Sequence, residues 1–372
     1  MLNLRRGVEI EKNDKIKWNQ FYKIIKISSN ELYITHGLRS VFSFSVVDKH
    51  GLGILDKVAE LLLSFVSLEE LIEKLKISEK DELYLIDLLN SLYEKGVIQK
   101  DKEVLNSCYS VYYSGLRKQF ASEIGVIGTG PLALKNIFSL LPLELEKINF
   151  INHKRKINKN EERLFPIFLK NCLDPNDYIN SIRKFLDENG LEDKIKIFSE
   201  INSEIILEVF KSSDFVIVSY ENYFPRIFYE INVLSHEARK PVLYTFIDGG
   251  LGIVGPVVVP GETACFTCFA NAIEASVLHP SYFTTYKSYA DKKENIPDTP
   301  LNGAPPFYDV ISGFTIDFLI RFFADPTSVP VMNRVLLLNF ESLEMDIQDV
   351  LKNPNCPICS KLEPPYMGQI II

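Results

Sequence analysis

The chain has no apolar run approaching the roughly 18–20 residues that cross a bilayer, which excludes a helical membrane span. It has no basic excess either: 49 acidic residues against 41 basic ones leave a formal charge of −8. A protein whose main task is gripping a nucleic-acid backbone needs the opposite balance. The five histidines are scattered and build no Cys–His or Ser–His–Asp centre. The amino-terminal stretch MLNLRRGVEIEKND carries two arginines with no apolar segment behind them, so it does not read as a signal peptide and a cytoplasmic location is expected. Internal repeats and low-complexity tracts are missing. What remains is 372 residues, 46% hydrophobic and 24% charged, enough for two folded domains at roughly 100–200 residues each.

Cysteine is scarce but concentrated. Of six, four form two tight pairs, Cys265-Phe-Thr-Cys268 and Cys356-Pro-Ile-Cys359, while Cys108 and Cys172 stand alone. In a reducing compartment such pairs point to metal more than to disulfides, a redox pair being the other reading. Two turns that each present two thiolates complete a tetrahedral sulfur shell for zinc. The 87 residues between the pairs, positions 269–355, make this a clamp between distant segments rather than a zinc ribbon. A shell filled by four thiolates leaves no open position, so the expected zinc is structural.

Residues 1–104 read as a small α+β unit. Three β-prone segments, Ile16–Ser28, Glu31–His36 and Ser40–Val47, are followed by helical patterns at Gly53–Phe65, after Ser67, and at Glu79–Glu94. Gly96 ends the last helix and Val97-Ile98 begins a wing, which predicts a winged helix-turn-helix. Glu79, Asp81, Glu82, Asp87 and Glu94 make that third helix acidic, so it would repel phosphate rather than read DNA. The other use of the scaffold is capture of an extended peptide along a sheet edge. The terminal strand, with Val41, Phe42, Ser43 and Phe44, and a groove lined by Leu85, Leu89 and Tyr93 are the expected contacts, and the acidic helix favours a peptide with basic residues beside its apolar anchors.

Residues 105–121 read as a linker and 122–372 as an α/β domain. Glu123–Ile127 is a buried strand, Gly128-Thr129-Gly130-Pro131-Leu132-Ala133 a GxGxxA turn, and a helix and the strand Lys147–Asn152 follow. This is the start of a mononucleotide-binding half-sheet. Further strands at Ile195–Phe198, Phe215–Ser219 and Pro241–Ile247, with a helix at Arg226–Ala238, predict a Rossmann-like parallel sheet. The stretch His279–Pro306 reads as a crossover loop. The glycine turn either cradles a nucleotide phosphate or only packs helix on sheet. Pro131 removes one N–H donor, and Asn152 stands where an acid usually holds ribose.

The run from Gly252 to Cys268, GIVGPVVVPGETACFTC, resembles the GxxGPxxxPGxTxCxxC stretch of ThiF-like, ubiquitin-activating-type adenylating enzymes, in which a second CxxC pair completes a structural zinc site. The resemblance covers about residues 122–362. It implies that Gly128, Gly130, Asn160, Arg163 and Glu221 correspond to the nucleotide site, with ATP and magnesium as its ligands where that site is active. Two of the family's glycines are replaced here. The leading unit is similar to the RiPP recognition element, which binds the leader of a ribosomally made precursor peptide. The joint arrangement implies a partner of a YcaO-type cyclodehydratase that makes thiazolines or oxazolines, with a dehydrogenase subunit and a homodimer as further expected associations. The alternative is an active adenylating enzyme of the microcin C or pantocin type.

Overall fold

A computed structural model describes residues 10–37, 43–101, 122–143, 145–152, 161–165, 174, 178–277, 279–291 and 303–361. The chain divides into two compact units, Met1–Gln119 and Phe120–Ile372.

In the first unit the expected strand Ile16–Ser28 is two strands in different sheets. β1 (Lys15–Trp18) pairs with β5 (Val66–Ser67) and β6 (Ile98–Lys100), whereas β2 (Lys23–Ser28) opens an antiparallel meander with β3 (Glu31–Thr35) and β4 (Ser43–Val47). The break is made by Asn19. Its side chain accepts from the Phe21 N–H at 3.1 Å and donates to the Gly96 carbonyl at 2.9 Å, turning the chain out of the first sheet. Three helices follow: α1 (Leu55–Leu61), α2 (Leu68–Leu75) and α3 (Glu79–Glu94). α1 is shorter at both ends than its apolar stripe suggested: Gly53 precedes it in the left-handed region, and past its end the Leu62 carbonyl accepts from Trp18 N–H at 2.9 Å. α2 starts on a capping box in which Ser67 Oγ accepts from Glu70 N–H at 3.2 Å and Glu70 accepts from Ser67 N–H at 3.4 Å. Ile16, Leu32, Ile34, Leu62, Leu71 and Val97 form the fully buried centre of this unit.

The second unit is an eight-stranded sheet in the order β14-β13-β12-β11-β10-β7-β8-β9. Five strands are parallel: β7 (Glu123–Gly128), β8 (Lys147–Asn152), β9 (Ile195–Phe198), β10 (Phe215–Tyr220) and β11 (Val242–Asp248). They are crossed by α4 (Gly130–Leu140), α5 (Tyr178–Glu188), α6 (Ser203–Ser212) and α7 (Pro225–Ala238). β10 is buried at every position, as a strand covered on both faces must be.

Beyond β11 the sheet turns antiparallel through β12 (Leu251–Val258), β13 (Arg334–Asn339) and β14 (Glu344–Asp349). β14 is an edge strand exposed at every residue. Between β12 and β13 lie α8 (Phe266–Ser276), α9 (Pro280–Asp291) and α10 (Pro305–Ala324). α9 falls inside the stretch expected to be a crossover loop. Its Tyr286 hydroxyl donates to the Tyr223 carbonyl at 2.8 Å, and Lys287 reaches Glu274 at 2.7 Å, so tertiary partners hold a helix that composition hides. Among the described residues no helix is long and apolar enough to cross a membrane.

Candidate functional site

Three features of chemical interest emerge, one at the glycine turn, one at the cysteines and one along β4.

The glycine turn sits where the strand order reverses, between β7 and β10, the switch point at which open α/β sheets bind ligands. Gly128 is paired with Ser219, and a Cβ there would lie 2.0 Å from the Ser219 carbonyl oxygen and 3.1 Å from Ala133. Only glycine fits. Gly130 opens α4 with φ +76°, and a Cβ on it would meet the Glu221 carboxylate at 2.7–2.8 Å. Glu221, one residue past β10 and 1% exposed, accepts the Leu132 N–H at 2.8 Å through Oε1. Behind the turn, Asn136 donates to Ser219 Oγ at 2.9 Å and Thr245 Oγ1 to the Val218 carbonyl at 2.9 Å, fixing α4, β10 and β11 together. The structure thus brings together Gly128, Gly130 and Glu221. Asn160 lies outside the described residues. Arg163 is exposed on a short helical turn, Glu162–Leu164, and makes no ion pair among the described residues.

The four paired cysteines converge. Cys265 caps α8 and Cys268 lies in its first turn, while Cys356 and Cys359 come from the segment after β14. Their sulfurs all lie within 4.8 Å of one another, with Cys265–Cys356 and Cys268–Cys359 at 3.5 Å and Cys265–Cys268 at 3.9 Å. A tetrahedral ion with bonds of about 2.3 Å needs sulfurs about 3.8 Å apart, so the donor set fits a metal ion. All four are buried. Burial pushes the Cys265 thiol up to about 11, and the neighbouring Cys268 and Cys356 add to it. Burial also acts on Cys356, but the backbone N–H groups of Cys359 and Ile358 outweigh it and bring that thiol down to about 7. Four thiolates this close coexist only around a cation. Asn232 on α7 supports the cluster, accepting from Phe266 N–H at 3.1 Å and donating to Thr267 Oγ1 at 3.1 Å.

In the first unit β4 pairs only with β3, so its other edge is open among the described residues. α3 runs beside it. Lys95 Nζ stands 4.7 Å over the Phe44 ring at one end, and at the other Tyr84 accepts from Lys49 N–H at 3.3 Å and packs on His50. Lys95 and Tyr84, eleven positions apart on the helix, meet Phe44 and Lys49–His50 respectively, so α3 and the β4 segment run antiparallel. Tyr84 and Lys95 are the α3 residues that touch the β4 segment, and Leu88 and Ser91 share their stripe by helical spacing. The expected groove residues Leu85, Leu89 and Tyr93 lie on the neighbouring stripe and are 0%, 0% and 3% exposed. They are core, not groove. With Leu83 and Ile86 added to the leucines at 85, 88, 89 and 92, apolar side chains cover more than half of the helix circumference, so composition alone does not say which stripe faces inward. Ser43 and Phe44 are on β4, whereas Val41 and Phe42 lie outside the described residues. Asp81 accepts from the Ser78 hydroxyl at 2.6 Å at the start of the helix, and the residue beside Phe44 is a lysine.

No family model matches the chain, and no curated protein matches it. Solved structures do. Escherichia coli MccB with ATP superposes with a TM-score of 0.59 at 17% identity, over 93% of this chain and 99% of that one. The microcin C7 biosynthetic enzyme MccB in complex with N-formylated MccA gives 0.59 at 16% identity, with the same coverage. A heterocyclase in complex with substrate and cofactor gives 0.59 at 15% identity, over 93% of this chain and 39% of that one. At these identities the likeness shows a shared fold that runs through both units.

Proposed function

We propose that this chain is a ThiF-like protein of ribosomal-peptide maturation that binds the leader of a precursor peptide and delivers it to a YcaO-type cyclodehydratase. The observation that carries the reading is the open edge of β4 with α3 laid along it. An extended leader adds to β4 as a further strand, backbone to backbone, and sends alternate side chains toward Phe44, Tyr84 and Leu88. On this reading the first unit is a winged-helix recognition element. Lys95 stands at the Phe44 end, so the leader presents an acid there, while Asp87 and Glu94, exposed on the same helix, favour basic residues beside its apolar anchors. Zinc held by Cys265, Cys268, Cys356 and Cys359 is structural, and a homodimer and a dehydrogenase subunit are part of the proposed assembly.

A second reading, an adenylating enzyme, is favoured by the full-length likeness to MccB, solved with ATP. We rank it second because Pro131 supplies no N–H at the cradle and Asn152 supplies no carboxylate for a ribose.

The test is titration of a fluorescent cognate leader with the full chain. Leu88→Asp should weaken binding by about tenfold or more, because it places a charge in an apolar contact. Unaltered affinity in a folded Leu88→Asp protein refutes the groove. Conversion of ATP to AMP with peptide by the isolated protein promotes the second reading.

A further inference from the structure

The amino terminus of α4 attracts anions, since its first N–H groups have no partner within the helix and its dipole is positive there. Here a carboxyl group is already in place, and it belongs to the chain. Glu221 crosses from the end of β10, accepts the Leu132 N–H at 2.8 Å, and fills the space that the missing side chain of Gly130 leaves open. Two further groups mark this end of the sheet as built for a polar occupant. Thr129 Oγ1, at the cap position of α4, is buried without a hydrogen-bond partner. The Asn152 side chain, at the end of β8 in register with Gly128, is 0% exposed and neither its Oδ1 nor its Nδ2 has a partner. Buried polar atoms without partners are uncommon in folded chains, and a turn kept only for packing has no use for them.

We propose that Glu221 is an internal surrogate for a phosphoryl group: its carboxylate takes the donor and the volume that the phosphate end of a nucleotide would occupy, and so locks the cradle. Gly130 is required twice over, by its φ of +76° and because a Cβ there would strike the Glu221 carboxylate. It separates two roles for the same residue. A carboxylate that serves a magnesium–nucleotide complex is needed for binding. One that occupies the phosphate position opposes binding, by competition and by like charge. The two predict opposite signs for one substitution. The proposal concerns the second unit alone, so leader binding at β4 stands or falls separately.

The experiment is calorimetric titration of the full chain with ATP, in EDTA and again with magnesium, for the wild type, Glu221→Ala and Glu221→Gln. The wild type should bind no tighter than about 1 mM, and Glu221→Ala about tenfold tighter or better, with or without magnesium. Glu221→Gln keeps the shape and an oxygen for Leu132 N–H but loses the charge, so its affinity should lie between the two. Thermal unfolding supplies a second readout: ATP should raise the Tm of Glu221→Ala and leave that of the wild type unmoved. If Glu221→Ala does not fold, Glu221→Gln carries the test and must still bind more tightly than the wild type. Wild-type binding that either variant weakens overturns the lock and makes Glu221 a ligand. Folded variants with no gain over the wild type overturn it too.

Discussion

Breaking the cysteine cluster tests the second unit most directly. Cys268 and Cys356 close a loop of roughly 90 residues that contains α9, α10, β13 and β14. Treated as a cross-link, a metal bound there removes about 4–5 kcal/mol of chain entropy from the unfolded state. The unit Phe120–Ile372 has about 250 residues, for which the unfolding entropy near the midpoint is about 0.5 kcal/mol/K. Losing the cross-link should therefore lower Tm by roughly 8–10 °C, with further loss from buried thiols left without a cation. The perturbation is Cys359→Ser, with EDTA treatment of the wild type in parallel. The assay is elemental analysis for zinc followed by thermal unfolding under circular dichroism. Wild-type protein should hold one zinc per chain and Cys359→Ser little. Wild type purified without chelator that contains no zinc refutes the reasoning, as does a Cys359→Ser variant whose Tm falls by less than about 2 °C.

Two glycines offer a matched pair. Gly128→Ala forces a carbon to within 2.0 Å of the Ser219 carbonyl and should cost roughly 2–5 kcal/mol in denaturant unfolding. Gly313→Ala, exposed on α10 with nothing within 4 Å of the new carbon, should instead stabilise by about 0.5–1 kcal/mol. Asn232→Ala strips the partners of Phe266 N–H and Thr267 Oγ1 and should destabilise by roughly 1–3 kcal/mol, with faster zinc loss to chelator in a colorimetric exchange assay.

Local signals in the sequence were strong where one element carries its own boundaries. α3 begins after Ser78, ends before Gly96 and has a 3.6-residue apolar stripe, so Glu79–Glu94 is readable without any partner. The cysteine pairs are readable because a tight turn and a soft ligand are both local facts. What could not be read depends on distant groups. The division of Ile16–Ser28 turns on a hydrogen bond from Asn19 to Gly96, 77 positions away. The antiparallel extension β12–β14 and the helix α9 are held by pairings that leave no mark in composition. Which stripe of α3 faces the core depends on what packs against it, so Leu85, Leu89 and Tyr93, expected at the groove, are buried instead. The return of Glu221 onto Leu132 N–H spans 89 positions and has no sequence signature at all.

The border of the large sheet at β14 limits how copies of this chain can meet. Two such strands laid side by side in opposite directions, aligned over their full six residues, bring Glu344 against Asp349 at both ends, with Asp346 of each near the middle. Like charges directly opposite one another weaken a strand pair. Leu343, Met345 and Ile347 stay in solvent beside these acids, so among the described residues apolar surface and an unpaired backbone ladder share one border. Its charges disfavour pairing with its own copy, less so at Asp349, which Arg334 meets at 2.8 Å. The strand works as a fence against end-to-end polymerisation of the sheet.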